Sequence, residues 1–194
     1  MKSVVLLSGG IDSATCLWIA RSRGPVTALT VDYGQHAAEM ERKISVSLCA
    51  MSNTSHRHID VKGISELSSS AITGSGDASV AVNAIVPGRN ALLVSVAASF
   101  AAKVGADTVW IGCNKTDADN FPDCTEDFLS KLNEAVWAGY KIKLMYPLAL
   151  LSKKQVVAKA KELWVPLGTT SSCYYGTACG DCSACKIRKE AMED

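Results

Sequence analysis

Apolar and polar positions along the first third of the chain follow a strand–helix–strand–helix rhythm. Val4, Val5, Leu6 and Leu7 form a short apolar run that predicts a buried strand, ended by Ser8-Gly9-Gly10. Residues 12–23 carry helical spacing, stopped by Gly24-Pro25, and residues 26–31 are β-rich. Residues 39–51 predict a helix with Met40, Ile44, Leu48 and Met51 on one face, and residues 56–61 a third strand. Further on, residues 91–104 predict a helix so apolar that it should be buried on more than one side. Residues 108–111 and 142–146 read as strands, and residues 123–138 and 152–163 as helices, the second capped by Ser152. This order predicts an α/β fold: a Rossmann-like parallel sheet with helices on both faces.

Two stretches break the rhythm. Residues 62–85, with Ser68-Ser69-Ser70 and Gly74-Ser75-Gly76, are small and polar and read as a long loop of the kind that often covers an active site. Residues 169–194 hold four of the eight cysteines. The expected division is an α/β domain over residues 1–168 and a C-terminal segment, residues 169–194, packed on it.

Of the 194 residues, 48% are hydrophobic and 20% charged, which excludes a disordered chain and allows a self-sufficient core. The net charge of +1 argues against holding duplex nucleic acid by phosphate neutralisation. The most apolar window, residues 91–102, contains Ser95 and Ser99 and falls short of the roughly 18–20 residues that span a bilayer. The N-terminal run is too short for a signal-peptide core. A cytoplasmic address with no membrane partner is the expectation. Lasting disulfides are rare there, so the clustered cysteines point first to a metal.

Ser8-Gly9-Gly10-Ile11-Asp12-Ser13 lies between the first strand and the first helix, where open α/β sheets bind ligands. Backbone N–H groups from Gly9 to Ser13, aided by the helix dipole, can converge on an anion, and the Ser8 and Ser13 hydroxyls can donate to phosphate oxygens. Asp12 suits magnesium, or bracing of the loop. The segment is neither a Walker A loop nor GxGxxG. A plain turn with Asp12 or Ser13 as helix cap is the alternative. In the tail, Cys173-x5-Cys179-x2-Cys182-x2-Cys185 can surround one tetrahedral zinc, and four thiolates leave no open position, so the zinc would be structural. A redox dithiol, an iron–sulfur cluster and scattered buried cysteines are the alternatives. Cys16 and Cys49 read as small core residues, whereas Cys113 and Cys124 fall near the expected site.

Ser-Gly-Gly-x-Asp-Ser after an N-terminal strand resembles the signature of the ATP pyrophosphatase, or PP-loop, family. Joined to a Cys-x2-Cys-x2-Cys tail, it resembles the 7-cyano-7-deazaguanine synthase family. The stretches Asp32-Tyr33-Gly34-Gln35, Val86-Pro87-Gly88-Arg89-Asn90, Thr116-Asp117, Phe121-Pro122-Asp123-Cys124 and Ser172-Cys173-Tyr174 match that family in order, so the resemblance covers essentially the whole chain. In four places the chain departs. Gln35 is followed by His36 alone where the family usually carries Arg-His, Thr125 stands where Arg is common, and both the 62–85 loop and the Cys173-to-Cys179 spacer are short.

The resemblance implies an adenine nucleotide alpha hydrolase-like fold. It also implies ATP-dependent conversion of 7-carboxy-7-deazaguanine and ammonia to 7-cyano-7-deazaguanine through adenylated acid and amide, with release of AMP and pyrophosphate. ATP is then the co-substrate, with magnesium, a structural zinc on Cys173, Cys179, Cys182 and Cys185, and a homodimer as assembly. The nucleotide falls along Leu7, Ser8, Gly9, Gly10, Ile11, Asp12, Ser13, Ala14 and Thr15. Catalysis falls to Asp12, Ser13, Arg89 and Asp123, and substrate contacts to Arg89, Asn90, Asp117 and Asp123. Arg89 and Asn90 alternatively form a Pro-Gly turn with Asn90 as helix cap, and Asp123 alternatively favours a helix N-terminus. Asp117 and Asp119 are candidates for magnesium or ammonia, while His36, His56 and His58 read as surface or strand residues. The rival functions are another PP-loop adenylating enzyme, amide-forming or tRNA thiolase-like, and a zinc-ribbon binding module. Against the last, Lys186, Arg188 and Lys189 read as a solvated helix face, and no direct nucleic-acid partner is expected.

Overall fold

Five parallel strands form one sheet in the order β3-β2-β1-β4-β5 in the computed structural model, which describes residues 1–193 and leaves Asp194 outside. The strands are β1 Ser3–Leu6, β2 Val26–Asp32, β3 Ser55–Asp60, β4 Thr108–Trp110 and β5 Lys143–Met145. Val5 stands opposite Ala28 on one side and Trp110 on the other. The order reverses between β1 and β4, so the connections leaving these two strands part and open a crevice at their C-terminal ends.

Side chains alternate along β1, sending Val4 and Leu6 to one face and Val5 and Leu7 to the other. Each face builds its own core. The first joins Val4, Leu6, Leu29 and Val31 to α3 (Arg89–Val104) and α5 (Glu126–Tyr140). The second joins Val5 and Leu7 to α1 (Ile11–Arg21), α2 (Ala38–Met51) and α6 (Lys153–Glu162). A one-turn helix, α4 (Lys115–Ala118), follows β4, and α7 (Ser183–Met192) closes the chain against α6.

Several local expectations shift. The buried residues of α2 are Ser45, Leu48 and Cys49, while Met51 is 60% exposed in the last turn, so the inward stripe centres on Leu48 rather than running to Met51. Helix α3 buries Val94, Ala97, Ala98 and Ala101 along one broad side and leaves Ser95 and Ser99 exposed, because small alanines let the helix lie close on the sheet. By length and composition the run 81–104 would reach across a bilayer, yet its α3 part packs on β1 and β4 as a core helix. Helix α5 starts at Glu126, because Pro122–Cys124 forms a 3-10 turn and the Thr125 hydroxyl accepts the Phe128 N–H at 3.3 Å. Ser152 does cap α6, in a reciprocal capping box with Gln155.

The 62–85 stretch is folded onto the protein rather than open. It carries 3-10 turns at Lys62–Leu67 and Ala81–Ala84, and Ala71, Ile72, Ala78 and Ala84 enter the first core. The C-terminal segment is tied to both this flap and the β1–α1 loop. Ser171 N–H donates to Gly9 O at 3.0 Å, and Ala78 N–H to the Tyr175 hydroxyl at 2.9 Å. The Arg188 guanidinium donates to Thr170 Oγ1 at 2.7 Å and to Leu167 O at 2.9 Å, which seats α7.

Candidate active site

The loop from Ser8 to Ser13 is fixed from both sides by glycine contacts. Gly9 has φ +76°, and a Cβ there would meet Ile44 Cγ2 of α2 at 2.7 Å. A Cβ on Gly112, just past β4, would lie 2.8 Å from Asp12 C and Ser13 N. The middle of α2 and the residue just past β4 therefore clamp the loop closely from two sides. Within it, Ser8 N–H donates to Ser13 Oγ at 3.2 Å, and Ser13 Oγ donates to Gly10 O at 3.1 Å. Gly10 is the N-cap of α1, and neither Asp12 nor Ser13 caps the helix. The first-turn N–H groups of α1 thus face the crevice beside two serine hydroxyls, an arrangement suited to an anion.

Asp12 turns sideways instead. It pairs with Lys153 Nζ from the first turn of α6. Its Oδ1 accepts from Asn114 Nδ2 at 3.0 Å, and the same amide donates to Asp117 Oδ2 at 2.7 Å. Asn114 is fully buried and caps α4 by accepting the Asp117 N–H. Burial, then the neighbouring Asp12 charge, raises the Asp117 pKa to about 7, while Lys153 and Arg89 act against the rise. Burial alone would discharge Lys153, but Asp12 and Asp117 outweigh it and hold the ammonium. Sequence reading missed Lys153 and Asn114. One signal was present: Lys153 and Lys154 occupy the first turn of a helix, where the dipole disfavours cations.

The opposite wall comes from α3 and from the β2–α2 connection. A cavity of about 250 Å³ is lined by Ser8, Gly10, Asp12 and Ser13 of the loop together with Arg89, Asn90, Tyr33 and Glu41. Asn90 is the second residue of α3 rather than its cap, and its Nδ2 donates to Asp123 O at 3.0 Å. Asp123 Oδ2 accepts the Asn90 N–H at 3.0 Å. Asp123 therefore serves the start of α3, not that of α5, and is not among the side chains lining the cavity. Cys113 and Cys124 are buried at this wall, with the Asn90 amide 3.6 and 3.2 Å from their sulfurs. Cys16 and Cys49 are core residues.

Glu41 lines the cavity from α2 and accepts from Gln35 Nε2 at 2.9 Å. Burial lifts its pKa to about 7. Sequence reading missed both residues. Asp119 is exposed beyond α4, and His36 stacks on Tyr175 at the surface.

All eight cysteines are free, and those of the C-terminal segment gather. The sulfurs of Cys173, Cys179, Cys182 and Cys185 lie within 4.8 Å of one another, with Cys173 and Cys179 at 3.6 Å. Thiolates about 2.3 Å from one tetrahedral zinc stand about 3.8 Å apart, so the set fits that ion. Backbone N–H groups of Cys179 and Cys182 donate to the sulfurs of Cys173 and Cys179 at 3.4 Å each, as they would to thiolates.

Residues 2–194 match the family model described as queuosine biosynthesis protein QueC. The 7-cyano-7-deazaguanine synthase of Campylobacter hominis is 39% identical to this chain, covering 100% of it and 95% of that protein. The synthase of Nitratiruptor sp. is 35% identical, covering 100% and 94%. Among solved structures, the NH3-dependent NAD synthetase of Campylobacter jejuni superposes with a TM-score of 0.56 at 20% identity, over 87% of this chain and 66% of that one. The NMN synthetase of Francisella tularensis superposes with a TM-score of 0.54 at 23% identity, over 86% and 63%. These two show the same fold.

The buried ion pair yields a stability prediction. Lys153→Met leaves Asp12 beside Asp117 with no ammonium, and should lower the unfolding free energy by about 3–5 kcal/mol. The double variant Asp12→Asn/Lys153→Met should recover part of that loss in urea denaturation. A loss in the double variant equal to the sum of those of Asp12→Asn and Lys153→Met measured singly would mean that the pair is not coupled.

Glu41 yields a pH prediction. An unfolded glutamate titrates near 4.3, so folding favours the protonated form of Glu41. Its contribution is full below the unfolded pKa and is lost as pH rises through about 7. Of the charges facing it, Arg89 of α3 opposes the rise and Asp32 of β2 adds to it. Glu41→Gln keeps an acceptor for Gln35. The melting temperature of this variant, relative to the unmodified protein, should therefore be higher at about pH 8 than at about pH 5.

Proposed function

The chain belongs to the QueC family of queuosine biosynthesis proteins and is an ATP-using enzyme of the PP-loop class; on that premise we propose that it converts 7-carboxy-7-deazaguanine and ammonia to 7-cyano-7-deazaguanine. Two ATP are consumed, and two AMP and two pyrophosphate are released. The observation that carries this reading is the single cavity walled by the Ser8-to-Ser13 loop on one side and by Arg89 and Asn90 on the other, where a nucleotide and a small acid can meet.

A carboxylate is a poor electrophile because oxide would have to leave. In the first half-reaction its oxygen attacks the α-phosphorus of ATP and pyrophosphate departs. The α1 N-terminus and the hydroxyls of Ser8 and Ser13 receive the phosphate charge as it develops. Lys153 adds an ammonium beside them. Ammonia then adds to the acyl carbon, AMP leaves with the former acid oxygen, and the amide results. In the second half-reaction the amide oxygen attacks a second ATP, the nitrogen loses its protons, and AMP leaves with the last oxygen to give the nitrile. Asp12 and Asp117, brought together by Asn114, are the residues that would hold magnesium, which neutralises triphosphate charge when bound. Arg89 holds the substrate carboxylate, and Asp123 fixes Arg89 and Asn90 by capping α3.

The proposal extends to a structural zinc on the four clustered cysteines, to residues 169–194 as a separate zinc segment, and to a cytoplasmic homodimer with no nucleic-acid partner. Single-turnover mass spectrometry tests the chemistry. Starting from the amide, the enzyme should form the nitrile with one ATP and no ammonia; from the acid it should need two ATP and ammonia. Arrest at the amide with ATP still present would make it an amide-forming relative, and release of ADP and phosphate would refute α–β cleavage.

Elemental analysis should find close to one zinc per chain, lost in Cys182→Ser/Cys185→Ser. Ser171 ties the same segment to Gly9, so that variant should also bind ATP more weakly. A normal zinc content in it would exclude these ligands.

A further inference from the structure

Three carboxylates line the cavity: Asp12, Asp117 and Glu41. The first two share Asn114 on the phosphate side. Glu41 stands apart on α2, and its hydrogen-bond donor is an amide, Gln35 Nε2. That amide is itself pinned. Gln35 Oε1 accepts the Tyr33 N–H at 2.9 Å, and Nε2 also donates to Val31 O at 3.2 Å. Neither end of the amide is free to turn, so the bond to Glu41 Oε2 orients the carboxylate in the cavity wall. The same cavity is also lined by Leu29, Val31, Ile72, Leu93 and Phe121, apolar surfaces suited to the faces of a flat ring.

We propose that Glu41 binds the aminopyrimidinone edge of the deazaguanine substrate, accepting hydrogen bonds from the ring N1–H and the 2-amino group. This deepens the function proposed above and rests on it. A guanine-type ring presents two adjacent N–H donors on that edge, the pattern that a carboxylate accepts as a charge-assisted pair. Adenine presents one donor beside the N1 acceptor, which an ionised carboxylate repels, so the edge discriminates between substrate and nucleotide base. Asp123, a substrate contact implied by the sequence resemblance, already accepts the Asn90 N–H and lies off the cavity wall. The raised pKa of Glu41 agrees: burial outweighs the Gln35 amide and the Arg89 charge that favour its ionised form, and two further N–H donors would satisfy the carboxylate. The 7-carboxylate, on the other side of the ring system, is then directed away from α2.

The test pairs a protein change with a substrate change. Nitrile formation is measured for the unmodified enzyme and Glu41→Gln, with 7-carboxy-7-deazaguanine and with the analogue lacking its 2-amino group. Removing either partner alone should lower kcat/KM by roughly ten- to a hundredfold. Removing both should cost little more than removing one, and the KM for ATP should stay within about twofold. Melting curves show whether Glu41→Gln is folded, and the analogue tests the unmodified enzyme regardless. Penalties that simply multiply, or a raised KM for ATP with unchanged kcat/KM for the acid, would overturn the assignment; the latter would put adenine against Glu41. If the unmodified enzyme makes no nitrile, the proposed function has failed, and calorimetric binding of the acid to the two proteins then decides the role of Glu41. A tenfold or greater loss of affinity in Glu41→Gln supports that role, and equal affinity refutes it.

Discussion

The pairing of Asp12 with Lys153 is the interaction around which the crevice is organised. It joins the first turn of α1 to the first turn of α6, across 141 positions of sequence. A lysine there is opposed by burial and by the dipole of its own helix. Asp12 and Asp117 hold it charged, and Asn114 keeps those two carboxylates together. Removing either Asp12 or Lys153 alone leaves its partner's buried charge without its ion-pair partner. A balance this costly in stability makes sense where a triphosphate must be received, because the cation, the helix N-terminus and the serine hydroxyls already converge before ligand arrives.

The clamp on the loop links regions that the sequence separates. Gly9 lies against α2, Gly112 against the first turn of α1, and Ser171 bonds back to Gly9. Two residues past Ser171 the cysteine cluster begins, and Tyr175 reaches the 62–85 flap. A metal on the four cysteines would hold one strap that touches both the Ser8-to-Ser13 loop and the flap. The C-terminal segment is thus part of the wall of the site: Ser171, Ser172, Cys173 and Tyr174 all line the cavity.

Short-range features were legible in the sequence. The Ser8-to-Ser13 loop, the cysteine spacing, the Ser152 cap and the alternation that predicts a parallel sheet each depend on residues a few positions apart. Glu41, Asn114 and Lys153 were not legible, because their roles come from partners on other elements. Glu41 reads as one more polar position on an amphipathic helix, and only the folded chain reveals that Gln35 and the cavity lie on its side. The partner of Asp123 was hidden for the same reason. Its place before α5 read as an acidic helix N-terminus or a substrate contact, and only the fold shows that it accepts the Asn90 N–H at the start of α3. The flap looked like open loop because its composition is small and polar, yet four apolar side chains spaced along it suffice to seat it on the core.

In the proposed reaction both acid oxygens leave with AMP. Substrate labelled with oxygen-18 in both carboxylate positions, turned over with unlabelled ATP and ammonia, tests this most directly. Each of the two AMP molecules formed per nitrile should carry one labelled oxygen, and pyrophosphate none. Label in inorganic phosphate, or AMP without label, would contradict adenylation of the acid and the amide at this loop.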